Sequence, residues 1–248
     1  PRSGTTLLSQ LLFNTTDLYC TNNLIAKFWK TPLVGTMLSK IVLGNTKSGN
    51  FDSVFSKTRD VYSPHEFGWF WQYLSQASDI RNYNIEKSKL EINWVKVRSI
   101  ILNMNNIIQG GMIFKPLEYA AYHIDEYLKN FNNILFVFIE RNPADIAFSL
   151  ADARKKYYND LNKWWGSYPI GYPILDDHSY WEQIPSQVYY LKKFYEKVLN
   201  KIPAERLIKT TYASICDSPQ ELLDLLQDKV KKLTNCNVEQ ISPPPKLK

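Results

Sequence analysis

Cysteine, histidine and methionine are scarce in this chain, with three of each among 248 residues. Cys20, Cys216 and Cys236 stand far apart, which excludes a disulfide framework and a clustered thiolate metal site. Such usage fits reduced thiols in a cytoplasmic enzyme. No apolar run reaches bilayer-spanning length and no signal peptide is visible, although the chain opens at Pro1 rather than at methionine. There is no internal repeat. The Gly-Lys pair of the ATP/GTP phosphate loop, G-x-x-x-x-G-K-[ST], is missing too, which counts against a kinase or GTPase.

What is present describes a folded chain. Hydrophobic residues make up 44% and charged residues 22%, and the length suits one domain, residues 1–248, with a substantial core. The net charge of +6 and a pI near 9.0 favour an anionic ligand or partner: nucleic acid, a membrane surface or a phosphorylated small molecule. Because the positive residues are scattered and form no run, the small anion ranks first and nucleic acid is not expected.

Leu7, Leu8, Leu11 and Leu12 share one face of a helix that follows the opening loop. Residues 44–63 are polar and turn-rich and read as a flexible segment. "HEFGWFWQYL" from residue 65 and "NWVKVRSIILNMNNII" from residue 93 read as helices, the second ended by Gly110-Gly111. Three strands are expected: "MIF" before Lys115, "ILFVFI" at 134–139, and "RLIKTTY" at 206–212. Six apolar residues in succession, as in the second, are the mark of a parallel strand buried on both faces. A helical pattern follows each strand, so the fold class is α/β with a central, mostly parallel sheet and helices on both faces.

Two loops carry the chemistry. In "PRSGTTLL", Gly4 permits close backbone approach, and a helix starting at once aims its free N–H groups back at the loop. Ser3, Thr5 and Thr6 add hydroxyls, and Arg2 adds a planar fork suited to oxyanions. Alone, the loop also fits an ordinary capped helix start. In "ILFVFIERNPADIAFSLADARK", a strand ends at Arg141, Asn142 and Pro143 open a helix with Asp145 at capping-box spacing, and Ser149 lies two turns along it.

Taken in order, the loops resemble the 5′-phosphosulfate and 3′-phosphate motifs of sulfotransferases that use 3′-phosphoadenosine 5′-phosphosulfate (PAPS), the looser bacterial and carbohydrate-type branches above all. The resemblance implies a P-loop-like sulfotransferase architecture, here cut short ahead of the first strand. It also implies that Arg2, Ser3, Gly4, Thr5 and Thr6 grip the 5′-phosphosulfate while Arg141 and Ser149 grip the 3′-phosphate. Tyr212, ending the third strand, matches a tyrosine that lies near adenine in many members, whereas Ala213 and Ser214 replace the family's acidic pair. PAPS would be the donor and PAP the product, without a metal, and the acceptor would be a hydroxyl or amine of a carbohydrate, lipid or small molecule.

Sulfuryl transfer builds charge on the leaving oxygen, so a preset cation helps most there; Arg2 is the first candidate and Lys115, on a strand matching a lysine-bearing strand of the family, the second. The family's histidine position after that lysine holds Leu117. His65 and Glu66 in "SPHEF" are the remaining candidates for the base, Glu66 ahead because it aligns with the acidic residue of an S-P-x-E segment in some bacterial relatives. His123 reads as a surface or core histidine. The stretch 164–181 holds Trp164, Trp165, Tyr168, Tyr172, Tyr180 and Trp181 around Asp176, Asp177 and His178, and reads either as an acceptor surface or as a lid. A nucleotide-dependent phosphotransferase and a non-catalytic polyanion-binding module stay open as alternatives.

Overall fold

The computed structural model describes residues 2–47, 51, 53, 57–77, 83–116, 118–173, 175 and 177–247. In chain order the first half runs α1 (Thr5–Thr15), β1 (Tyr19–Cys20), α2 (Asn23–Lys27), α3 (Pro32–Leu43), α4 (Gly68–Leu74), α5 (Ile85–Glu91) and α6 (Trp94–Ile108). Then come β2 (Met112–Ile113), α7 (Tyr119–Tyr122), α8 (Ile124–Asn130), β3 (Phe136–Glu140) and α9 (Pro143–Tyr158). The chain continues through α10 (Tyr180–Leu199), a 3-10 turn at Ala204–Arg206, β4 (Leu207–Thr211), α11 (Tyr212–Asp217) and α12 (Pro219–Thr234).

The α/β class and the parallel pairing hold. The single central sheet does not: among the described residues there are two parallel pairs, β1 with β2 and β3 with β4. In the second pair Phe136 to Glu140 run in register with Leu207 to Thr211. A cavity of about 1060 Å³ is lined by Met112 and Ile113 of β2 and by all five residues of β3, Phe136 to Glu140. Side chains alternate between the faces of a strand, so five in a row at one cavity means that the cavity runs along an edge of β3. Among the described residues β2 and β3 line this common space without pairing with each other.

Local rules place the helices around these pairs. Asn142 caps α9 through the amide of Ala144, and Pro143 supplies a preset first position. The capping box expected there is not made, because Asp145 turns to Arg141 at 3.7 Å. The aromatic helix starts at Gly68 rather than near residue 65, since Phe67 adopts φ 58° and gives its amide to His65 Nδ1. Gln109, in the left-handed region, ends α6. One core gathers Ile25, Phe70, Trp71, Val97, Ile101 and Met104; a second gathers Leu8, Leu11, Leu12, Ile139, Ile208 and Leu223. The leucine face read from the opening helix is therefore the one that meets β3 and β4. Of the stretch expected to be flexible, residues 48–50, 52 and 54–56 lie outside the described residues. Its far end is tied down, with Asn23 Nδ2 bonded to Thr58 Oγ1 and the Asp60 carbonyl. No helix among the described residues is long and apolar enough to cross a membrane.

Candidate functional site

The start of α1 is held by an unusual backbone. Gly4 caps the helix at φ 101°, and Arg2 two residues earlier sits at φ 59°. A Cβ on Gly4 would lie 2.5 Å from Cδ2 of Tyr212, so the loop presses directly on that ring. Tyr212 follows β4 immediately, and the guanidinium of Arg141, one residue beyond β3, lies 4.3 Å from the centre of the same ring. Arg141 also donates to the carbonyl of Arg2 at 3.2 Å. Because β3 and β4 pair in register, the residues that follow them emerge side by side.

Arg2 in turn donates from Nε to Ser149 Oγ at 2.8 Å, across 147 positions of sequence. Burial, and then the neighbouring Arg141 charge, pull the Arg2 pKa below its ordinary value. Lys115, which follows β2, is buried and donates from Nζ to Thr6 Oγ1 at 2.6 Å while pairing with Glu66 Oε1 at 2.6 Å. Desolvation lowers its pKa and Glu66 opposes the shift. Thus Arg2, Gly4, Arg141, Ser149 and Tyr212 form one connected set, Thr6, Glu66 and Lys115 form a second, and the opening loop carries members of both. Ser3 and Thr5, on the same loop, line the cavity beside it together with Lys115 and Arg141.

His65 is placed differently. Its Nδ1 accepts the Phe67 amide at 2.8 Å, so the neutral ring carries its proton on Nε2, and burial lowers its pKa. A histidine with its lone pair already taken is a poor proton acceptor. Glu66 faces Lys115 with 30% of its side chain exposed.

Sequence reasoning missed Glu118. Its carboxylate is buried, accepts Ser167 Oγ at 2.9 Å, lines the same cavity, and is pushed above the ordinary carboxylate range by burial. No sequence signal marks it, because a glutamate ahead of a short helix reads as a surface residue. Leu117 and Asp176 lie outside the described residues. His123 is a core histidine bonded to Tyr83 Oη at 2.6 Å. His178 is exposed beside Glu182 at 3.7 Å.

The aromatic stretch packs against α9 and α10. Trp165 stacks on Tyr157 with centroids 5.8 Å apart, and Tyr172 stacks on Tyr190 at 4.7 Å. Buried Arg154 binds the Leu161 carbonyl and Gln183, while Gln187 binds the carbonyls of Trp165 and Ser167. These bonds set Trp165 with its ring centre 6.0 Å from the Arg2 guanidinium and Ser167 against Glu118, so the stretch borders the site.

The donor set suits a phosphorylated anion. Three cations, Arg2, Lys115 and Arg141, gather here; Lys115 pairs with Glu66 and Arg141 lies 3.7 Å from Asp145, with its buried Nε making no hydrogen bond. Among the described residues, no group of three His, Cys, Asp or Glu side chains could hold a metal ion. No family model matches the chain, and neither a curated protein nor a solved structure matches it.

Proposed function

We propose that this protein is a PAPS-dependent sulfotransferase acting on a hydroxyl or amine of a small-molecule, lipid or carbohydrate acceptor. The observation that carries the reading is the meeting of three remote segments: Arg2 with Ser149 at 2.8 Å, Arg141 with the Arg2 carbonyl at 3.2 Å, and Tyr212 against Gly4. Arg2 and Gly4 belong to one motif, Arg141 and Ser149 to a second about 140 positions on, and Tyr212 to the end of a later strand, and nothing in their local sequence requires contact.

PAPS would supply an activated sulfuryl group whose leaving partner is a phosphate oxygen. Arg2, the loop hydroxyls and the first amides of α1 hold that phosphate end. Arg141 and Ser149 hold the other phosphate, with Tyr212 beside the base. Arg2 and Ser149 bond to each other here, so binding exchanges that bond for bonds to the anion. Lys115, buried next to Thr6, provides a fixed positive charge where the leaving oxygen gains negative charge. Glu66 takes the acceptor's proton, since His65 has its lone pair committed to Phe67. Lys115 keeps Glu66 oriented until the proton arrives.

The test is transfer of labelled sulfate from PAPS to a panel of acceptors, with EDTA present, alongside calorimetry of PAP binding. Arg141→Ala should weaken PAP binding by about tenfold or more, because a charge-assisted contact worth about 1.5–3 kcal/mol is lost. Arg141→Lys should restore it only in part, since a point charge lacks the planar fork. Unchanged PAP affinity in Arg141→Ala, or turnover that needs Mg2+ and ATP, would reject the assignment.

A further inference from the structure

Helix α3 carries an apolar stripe on its outer face. Val34, Met37, Leu38, Ile41 and Val42 recur at helical spacing and are exposed, Ile41 and Val42 by 75% and 66%. The opposite face, with Pro32, Gly35, Thr36, Ser39 and Leu43, is the buried one. The helix therefore has its core side satisfied and a second hydrophobic side turned outward.

The surroundings say what covers it. Helices α2, α3, α4 and α6 contain no acidic residue, and from Leu18 to Phe51 the chain has four lysines and no aspartate or glutamate. Lys27 and Lys30 are exposed just ahead of the stripe. There Trp29 meets Tyr73 at 5.9 Å, with Lys30 over the Trp29 ring and Lys96 over the Tyr73 ring. Trp69, one turn before Tyr73 on α4, is 67% exposed. An apolar helix face beside amphipathic aromatics and lysines, on helices that carry no acid of their own, is the composition of an interfacial membrane contact. A second copy fits poorly, because a two-fold interface would set one basic rim against its like.

We propose that the α3 face docks this protein onto an anionic bilayer surface, with the stripe at the acyl boundary and Lys27, Lys30 and Lys96 at the head groups. Docking at this face is independent of sulfuryl transfer, so it stands or falls apart from the activity.

Co-sedimentation of the full chain with vesicles tests it, using phosphatidylcholine alone and phosphatidylcholine mixed with phosphatidylserine. The chain should pellet with the mixed vesicles, less so as salt rises. Ile41→Asp with Val42→Asp should lower the partition coefficient by about tenfold or more, and Lys27→Gln with Lys30→Gln by about fivefold per lysine. All four positions are exposed, and matching melting curves will verify that the variants fold. Leu225→Asp, at an exposed leucine on α12, should pellet like the parent. Failure of the parent to pellet with the mixed vesicles would overturn the proposal, as would α3 variants that pellet undiminished. A dimer seen in sedimentation equilibrium and broken by the α3 substitutions, without vesicle binding, would assign the face to a second copy and overturn it equally.

Discussion

Replacing Gly4 with alanine puts a methyl group where the ring of Tyr212 already lies. Two separate costs follow. The backbone at φ 101° is foreign to an L-residue, which costs about 1–2 kcal/mol. The new Cβ would stand 2.5 Å from Cδ2 and 2.9 Å from Cε2, well inside the roughly 3.5–4.0 Å of a comfortable carbon contact. Tyr212 cannot swing away freely, because Arg141 stacks on it at 4.3 Å. Relieving the overlap by shifting ring or loop costs about 1–3 kcal/mol, as overpacking generally does. The sum is a loss of about 2–5 kcal/mol. Urea unfolding with an unchanged m-value will measure it. A double-mutant cycle separates the parts: in a Tyr212→Ala background the same alanine should cost only the backbone share, about 1–2 kcal/mol. A Gly4→Ala variant within about 0.5 kcal/mol of the parent would refute the reasoning, and so would a penalty equally large without the tyrosine ring.

Glu66→Gln should lower kcat by about 100-fold or more with PAP affinity nearly unchanged, while His65→Gln should cost far less; the reverse order in steady-state assays would transfer the base role to the histidine. His123 should make the fold acid-sensitive. Tyr83 gives its one proton to the Ser75 carbonyl, so His123 Nε2 is the donor to Tyr83, and buried Nδ1 has no partner for a second proton. Its pKa falls from the ordinary 6.5 to about 4, chiefly through desolvation. A depressed histidine leaves the unfolded chain binding the extra proton first. Stability is then whole above pH 6.5 and drains away as pH drops through 4, by on the order of 3 kcal/mol. Unfolding measured along this pH range should show His123→Gln flattening the decline relative to the parent. Finally, five alternating valines and isoleucines fused ahead of Pro1 should insert as a strand into the cavity that β2 and β3 line and raise Tm by about 2–4 °C or more. The same extension with a central proline, which cannot donate to a ladder, should not; equal melting points would show that the cavity does not accept a strand.

Much of the frame is written in local chemistry. β3 forms where residues 136–139 sit within an unbroken apolar run, and α9 begins where Asn142 and Pro143 meet the rules for a helix start. Gly4 stands where close approach demands it, and β3 and β4 stand where their composition places them. Such features depend on a few neighbouring side chains and on a periodicity of two or 3.6, so they are readable along the chain.

Tertiary structure decided the rest. Strand β1, only two residues long, has no pattern of its own and exists through its pairing with β2. The division into two sheets, the pairing of Lys115 with Glu66, the proton position on His65 and the burial of Glu118 all depend on groups brought together from distant positions. The same holds for α3, whose stripe could as well have faced the core until its other side was seen packed there. A helical period reports that a face is apolar, whereas only the packing of neighbouring elements determines what that face meets.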